Sequence, residues 1–419
     1  MPADDFSLRR IAVPAYGPTL LYGLATGAIL PVVALSARGL GATVALAALV
    51  ITLTGVGSLL TNVPATVVTT RFGEKWALAA AAAWCALAMI LAASVPVLWV
   101  FALAVFMTGM AGSVFGLARQ SYLTEAVPLH FRARALSTLG GVNRIGVFIG
   151  PFAGAGAIHF LGTAGAYWVG AAAAVGAGLL SLTVPDLSVR AAAKRNGTRP
   201  GPGTAAAAAA VPTPTVRAIL RSHARVFRTI GIGILLIAAV RATRQAVIPL
   251  WGQHIGLDPT QTALIYGLSG AIDMLIFYPA GKAMDTWGRR SVAVPCMLVM
   301  GVGLGLLPLA TDATGLLLAA LLIGFGNGIG SGIVMTLGAD FSPSPGRPQF
   351  LGIWRLLADL GNMGGPGILA GVTALVSLSA GIAATALLGL AGAVVLWCWV
   401  PKGKPGRSAS AAPDRRPAG

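Results

Sequence analysis

Charge is what this 419-residue chain has least of: Asp, Glu, Lys and Arg make up 10% of it, against about 25% in a soluble domain. Acids are scarcer still, 12 against 29 Lys and Arg. Apolar residues reach 56% and mean hydropathy is +0.82. An aqueous core cannot hide that much apolar surface, so a soluble fold is excluded and the solvent is lipid. There are 3 cysteines, Cys85, Cys296 and Cys398, all in apolar runs and without a C-x-x-C. A disulfide framework and a zinc site are therefore not expected, and the thiols read as small buried hydrophobes. The 4 histidines, His130, His159, His223 and His254, form no cluster with Asp or Cys, and H-E-x-x-H is missing, which argues against an intramembrane enzyme. No catalytic residue, metal or cofactor is expected. No G-x-x-x-x-G-K-[ST] occurs, so a pump built on this chain draws on an ion gradient. A sensor or scaffold would need a folded soluble domain, and no stretch between the apolar runs is long enough for one.

What is present is a series of long apolar runs. Backbone in lipid must satisfy its own hydrogen bonds, which leaves helices or closed barrels. The runs are long instead of ten-residue alternations, so helices are expected. Twelve are counted: 12–36, 42–68, 76–94, 97–120, 135–160 and 163–184, then 229–251, 260–283, 291–310, 314–338, 350–376 and 379–400. Arg9-Arg10, the apolar stretch after them and the small residues Ala34 to Ala37 mimic a secretory leader. The stretch is as long as a full span, and its I-L-P at 29–31 has a counterpart in V-I-P at 247–249, so it reads as the first helix. The formal charge of +17 invites a nucleic-acid reading, but position decides otherwise. Arg38 stands in one set of alternate loops, and Arg144, Arg241, Arg244 and Arg355 are read as lying inside apolar runs. The rest fall in the opposite loops and the two tails. This is the positive-inside bias. It predicts a multi-pass protein of the cell membrane with both termini cytoplasmic and basic loops against anionic lipid.

The chain also repeats itself. P-A-x7-G-x-K from Pro64 returns as P-A-x7-G-x-R from Pro279. E-x2-P-x3-R and G-x3-G-P at 125 to 151 return as D-x2-P-x3-R and G-x3-G-P at 340 to 366. One offset, 215 residues, relates Pro64 to Pro279, Gly73 to Gly288, Glu125 to Asp340, Pro128 to Pro343, Arg132 to Arg347, Gly146 to Gly361, Gly150 to Gly365 and Pro151 to Pro366. The matches fall on turn-formers and on charges between apolar runs. Two parallel membrane repeats are the expected layout of a secondary transporter that binds between its halves. The predicted fold is all-α, twelve transmembrane helices in two pseudo-symmetric six-helix bundles, 1–185 and 227–401. A cytoplasmic linker, 186–226, joins them, and 402–419 is a disordered cytoplasmic tail. The linker's basic end from Arg217 reads either as solvated coil or as a short interfacial helix.

Two motifs carry mechanism. A-G-K-A-M-D-T-W-G-R-R, 280 to 290, places Gly288 in a tight turn with Asp285 before it and Arg289-Arg290 after it, an acid beside a basic turn that could latch one packing of the halves. The first-half copy has Thr70 in place of the acid. Gly146, Gly150 and Gly154 recur every fourth residue, a smooth face for close helix packing, which Pro151 bends. Here the chain resembles the major facilitator superfamily: the 280–290 loop looks like its signature turn between the eighth and ninth helices. G-V-F-I-G-P-F-A-G resembles the fifth-helix motif of its drug:proton antiporter branch. The chain departs from that branch at Ser137 and Ala155, where glycines are expected, and at Val105, where many antiporters of the family carry an arginine. The resemblance implies a twelve-helix, alternating-access transporter whose fifth and eighth helices meet at the seam.

Six ionisable groups are read as lying inside apolar runs: Arg144, Arg241, Arg244, Asp273, Arg355 and Asp359. Each costs about 3 kcal/mol at the bilayer centre and is a functional candidate by default. Asp273 and Arg144 lie about 12 and 13 Å from the basic end at ~1.5 Å per residue. They are expected to pair across the seam and to gate on protonation of Asp273; a static pair aiding assembly is the alternative. Arg355, Asp359 and Asn362 share one face, where Arg355 and Asp359 are expected to neutralise each other. Arg241 and Arg244, with Gln245, have no acid on their own helix. Facing a cavity they would select a carboxylate, phosphate or sulfonate; otherwise they bond carbonyls or snorkel. Asn62, Asn143, Asn327 and Gln120 are path-lining or interhelical glue, Asn327 being the cavity candidate. The function expected is proton-coupled efflux of a small amphipathic, anionic-tolerant organic molecule by a monomer, with import of an organic acid as the alternative.

Overall fold

The computed structural model describes residues 8–127, 129–184, 215–343 and 346–402. The predicted linker from 186 to 214 and the tail beyond 402 lie outside the described residues. The chain is all-α. Helix α1 is Leu8–Ile29 and α2 is Val33–Gly39, followed by α3 Val44–Ser94, α4 Leu98–Ala126, α5 Leu129–Leu161 and α6 Ala164–Leu182. After the linker come α7 Val216–Ser222, α8 Ala224–Arg228, α9 Ile230–His254, α10 Pro259–Trp287, α11 Arg290–Leu306, α12 Ala313–Ile329, α13 Ile333–Phe341, α14 Arg347–Leu375 and α15 Leu378–Trp399. Ten helices among the described residues are long and apolar enough to cross a membrane, or 11 with the bent α1–α2 pair. The other is α14. Its 29 residues are long enough, but it carries the charged face of Arg355 and Asp359.

Three local departures from regular helix follow from chemistry. The first span breaks at Leu30-Pro31-Val32, with a 41° bend between α1 and α2, because proline donates no backbone N–H and clashes with the preceding turn. The second and third spans run together as α3, and the predicted turn between them shrinks to Gly73 at φ 80°. Its repeat partner Gly288 ends α10 at φ 91°. Both glycines hold the left-handed region that other residues rarely adopt. The tenth span, expected to be continuous, breaks at Gly330-Ser331-Gly332, with Gly332 at φ 82°. Scarce acids are spent on caps at the end away from the termini. Asp258 accepts from the Gln261 amide at 2.9 Å and Asp312 from the Gly315 amide at 2.7 Å, satisfying two orphan donors. At the other end of the linker, the basic stretch forms α7 and α8, and Ile219 and Phe227 are buried.

Each half closes on itself: α1, α3, α4, α5 and α6 pack together, as do α9, α10, α11, α12, α14 and α15. The glycine ladder makes some of the close contacts. A Cβ on Gly150 would sit 2.7 Å from the Gly27 Cα, and one on Gly146 would sit 2.8 Å from the Leu24 nitrogen. The second half repeats this between α14 and α9, where a Cβ on Gly365 would lie 2.7 Å from the Thr243 hydroxyl. The halves meet along two seams, α3 against α14 and α5 against α10. At the end away from the termini they are tied by Arg38, which donates to Gln253 at 3.3 Å. Near the basic end, Cβ atoms at Gly140, Gly141 and Gly281 would meet nothing within 4 Å.

Candidate functional site

Two cavities lie where the halves face each other. The first, about 240 Å³, is lined from α5 by Asn143, Arg144 and Phe148, from α9 by Arg244, and from α10 by Tyr266 and Asp273. The second, about 200 Å³, is lined by Thr26, Thr54, Ser58 and Thr108 of the first half and by Gln245 of the second.

Asp273 is the centre of the first cavity, and its partner differs from the expected one. Arg244 Nη1 stands 3.6 Å from its Oδ2, and Asn327 Nδ2 donates to the same oxygen. Arg144 reaches the same cavity but pairs elsewhere: its Nη1 donates to the Ser331 hydroxyl, and its guanidinium lies 4.5 Å over the Phe277 ring. The expected Arg144–Asp273 ion pair is therefore corrected. Helix α9 delivers a closer cation to the carboxylate, so the acid that Arg244 lacks on its own helix comes from the next one. Arg244 is 7% exposed and lies 5.3 Å over Tyr266. A desolvated guanidinium needs both a carboxylate and a ring face at this depth. Asp273 Oδ1, Arg244 Nε and Arg241 Nε are buried without a hydrogen-bond partner among the described residues.

The break in the tenth span is held by arginines from both halves. Arg241 Nη2 donates at 2.6 Å to the Gly330 carbonyl, which also accepts from the Ile333 amide at 3.1 Å. Arg144 takes Ser331, one residue on. Of the two readings open for Arg241, bonding a carbonyl is the one observed.

On the other seam, Asp359 does not pair with Arg355. It accepts from Asn62 Nδ2 at 2.9 Å, and Asn62 Oδ1 accepts from Ser113 at 2.6 Å. Asn62 is thus glue between the halves. Arg355 is exposed, with no ion-pair partner among the described residues. Gln245 lines the second cavity, as its helix position allows.

The turn residues engage their own bundle. Arg289 Nε donates to Asp340 at 2.9 Å, which explains the acid in the repeated D-x2-P-x3-R motif. Arg290 lies 3.9 Å over the Trp397 ring. The Asp285 side chain lies outside the described residues. The latch expected from the acid and its basic turn therefore appears, so far as its arginines go, as contacts within the second half.

One buried cation escaped the sequence reading. Arg119 lies inside the span Leu98–Leu123 and donates to Asn143 at 2.7 Å, tying α4 to α5 beside the first cavity. Sorting basic residues by loop assigned it to the helix end, whereas the length of α4 was the signal that it belongs inside. Tyr266 also belongs to the site; as an aromatic in an apolar run it suits an amphipathic ligand but reads more readily as core. Ser331 belongs to it too, and nothing local in the sequence marks it.

The sequence matches the profile of the Major Facilitator Superfamily over residues 19–278 and 230–418. The chain belongs to the Major Facilitator Superfamily. Solved structures agree at the level of fold. A D-xylose-proton symporter superposes with TM-score 0.71 at 16% identity, covering 95% of this chain and 99% of that one. A POT family transporter in complex with a thioalcohol-conjugated peptide gives 0.72 at 12%, over 93% and 96%. The xylose transporter XylE from E. coli, in an inward-open conformation, gives 0.69 at 20%, over 95% and 97%. No curated protein matches the chain in sequence. This superfamily member is a multi-pass membrane protein of twelve helices in two bundles. It is a secondary transporter and not an enzyme.

Proposed function

We propose that the chain is a proton-coupled exporter of a small amphipathic organic molecule, of the drug:proton antiporter type, working as a monomer by alternating access. Its basic end faces the cytoplasm, as the positive-inside bias supports, and it resides in the cell membrane. In that orientation the Arg38–Gln253 tie joins the halves on the outer side. The two halves are 1–185 and 227–401, and 186–226 is the cytoplasmic linker.

The observation that carries the reading is Asp273, a carboxylate at the seam whose charge is balanced by Arg244 of its own half and which shares a cavity with Arg144 of the other. The titratable and charged groups around it are Arg244, Arg144, Arg241, Tyr266 and Cys296. A proton on Asp273 removes the charge that holds Arg244. The released guanidinium then has to find another acceptor, and Arg144 loses an attractive neighbour across the seam. Both changes alter how the halves fit. The Arg144–Ser331 and Arg241–Gly330 bonds place the hinge-like break of the tenth span within the same network. In reconstituted liposomes with an imposed pH gradient, Asp273→Asn is expected to abolish gradient-driven transport while leaving exchange. Unchanged pH dependence removes Asp273 from the proton path.

An excess of positive charge favours a second reading, proton-coupled import of an organic acid. Four arginines within the spans, Arg119, Arg144, Arg241 and Arg244, stand against two aspartates, Asp273 and Asp359. Arg144 and Arg244 line the first cavity, where an anion would compete with their present partners. A panel of anionic and cationic amphiphiles on both sides of the liposome separates the two readings by direction and by charge preference.

A further inference from the structure

A third cleft lies on the outside of the second bundle, remote from both seams. Three helix ends converge there: α10 stops at Trp287, α11 starts at Arg290 and α15 stops at Trp399. Arg290, Ser291, Trp287, Trp397 and Lys402 line a cavity of about 430 Å³. Two cations share one ring. The Arg290 guanidinium is 3.9 Å and the Lys402 ammonium 5.9 Å from the Trp397 centroid. Among the described residues no acid lines the cleft. The Arg290 Nε is buried and finds no acceptor among the described residues.

We propose that this cleft binds the headgroup of an anionic phospholipid. Two like charges held over one tryptophan repel each other, and a phosphate between them turns that cost into two charge-assisted contacts. Trp287, 74% exposed, and Trp397, 56% exposed, stand where indole rings favour the boundary between headgroups and acyl chains. Directly inward from the cations the surface becomes apolar, with exposed Leu298 on α11 and exposed Val394 on α15. α11 and α15 pack side by side there, so acyl chains have a groove to follow. A soluble anion would use the cations but not the groove. A zwitterionic lipid would use the groove but bring a second positive charge to the cations. Basic pockets between helices near a membrane surface are established sites for acidic headgroups.

The test uses the full chain, purified in detergent, with native mass spectrometry reading bound lipid. Phosphatidylglycerol and phosphatidylcholine with identical tails are compared. Two cationic contacts predict a preference of roughly thirty-fold for phosphatidylglycerol. The double variant Arg290→Gln, Lys402→Gln is expected to reduce that preference to near parity. Arg71→Gln, a basic residue of the first half, is expected to leave it intact. Should the double variant fail to fold, Lys402→Glu alone, on an exposed residue beyond the helix end, gives the same reading. Equal binding of the two lipids overturns the proposal, as does full retention of phosphatidylglycerol by the variants. An inorganic phosphate arm completes the test: phosphate that displaces the lipid at equal concentration would assign the cleft to a free anion and overturn the lipid assignment.

Discussion

The two halves carry opposite chemistry at repeat-related positions. Shifted back by the repeat offset, Arg241, Arg244, Gln245, Asp273 and Asn327 land on Thr26, Ile29, Leu30, Ser58 and Gly112. Those five residues all line the second cavity. One half therefore presents a charged network to the centre of the molecule, and the other presents hydroxyls and aliphatic carbon at the same depth. The seams show a similar exchange. Arg144 over Phe277 on one side corresponds, by the same offset, to Asp359 bonded to Asn62 on the other. An ancestral pair of equal halves would close both seams alike. Here one seam rests on a cation over a ring and the other on a carboxylate held by an amide, so protonation of a carboxylate loosens them unequally. What the halves share is packing. What they have divided is charge.

That comparison can be broken at its common part first. Gly150→Leu and its partner Gly365→Leu each force a side chain into the backbone of the helix opposite. Both are expected to yield no folded protein by size-exclusion chromatography, because backbone at that distance cannot move aside. Tolerance of one and not the other would show that the ladder matters in one half only. Next, Arg244→Leu leaves Asp273 without its cation. The expected loss is about 3 kcal/mol, the low end for breaking a buried pair, since the Asp273 side chain keeps 21% exposure. The double variant with Asp273→Leu should recover most of it in thermal melts. The equivalent first-half change, Ile29→Val, should cost only about 1 kcal/mol. Equal losses at the two positions would mean the charge is incidental. On the second seam, Asn62→Leu removes the donor to Asp359. Roughly 1 kcal/mol is expected, again read in thermal melts. The smallest effect belongs to an open face of α5. Gly140→Ala adds a methyl where nothing lies within 4 Å and is expected to change stability by less than about 1 kcal/mol, in the stabilising direction.

Much of this was readable in the residues. Long apolar runs, the sidedness of Lys and Arg, and the recurrence of Gly73 and Gly288 depend on composition and on conformations open to glycine alone. They survive whatever the tertiary arrangement. The G-x3-G spacing announced a close helix contact for the same reason. Individual partners were not readable. Asp273 lies on a different helix from both candidate cations, and a rotation of either helix by one residue, about 100°, would change which one it meets. Arg119 was hidden because it stands one residue from the end of its predicted run, 97–120, and was counted with the basic loops. The break at Gly330 to Gly332 was hidden because glycines are tolerated in unbroken membrane helices too, and only the folded arrangement brings Arg241 to the Gly330 carbonyl and Arg144 to Ser331.

The order of residues thus settles the solvent, the helices, their number and the doubling of the chain, since each follows from local free energies summed along a segment. The folded arrangement alone decides which buried charge answers which, because desolvation makes every such pairing a contest among side chains that only packing brings within a few ångströms.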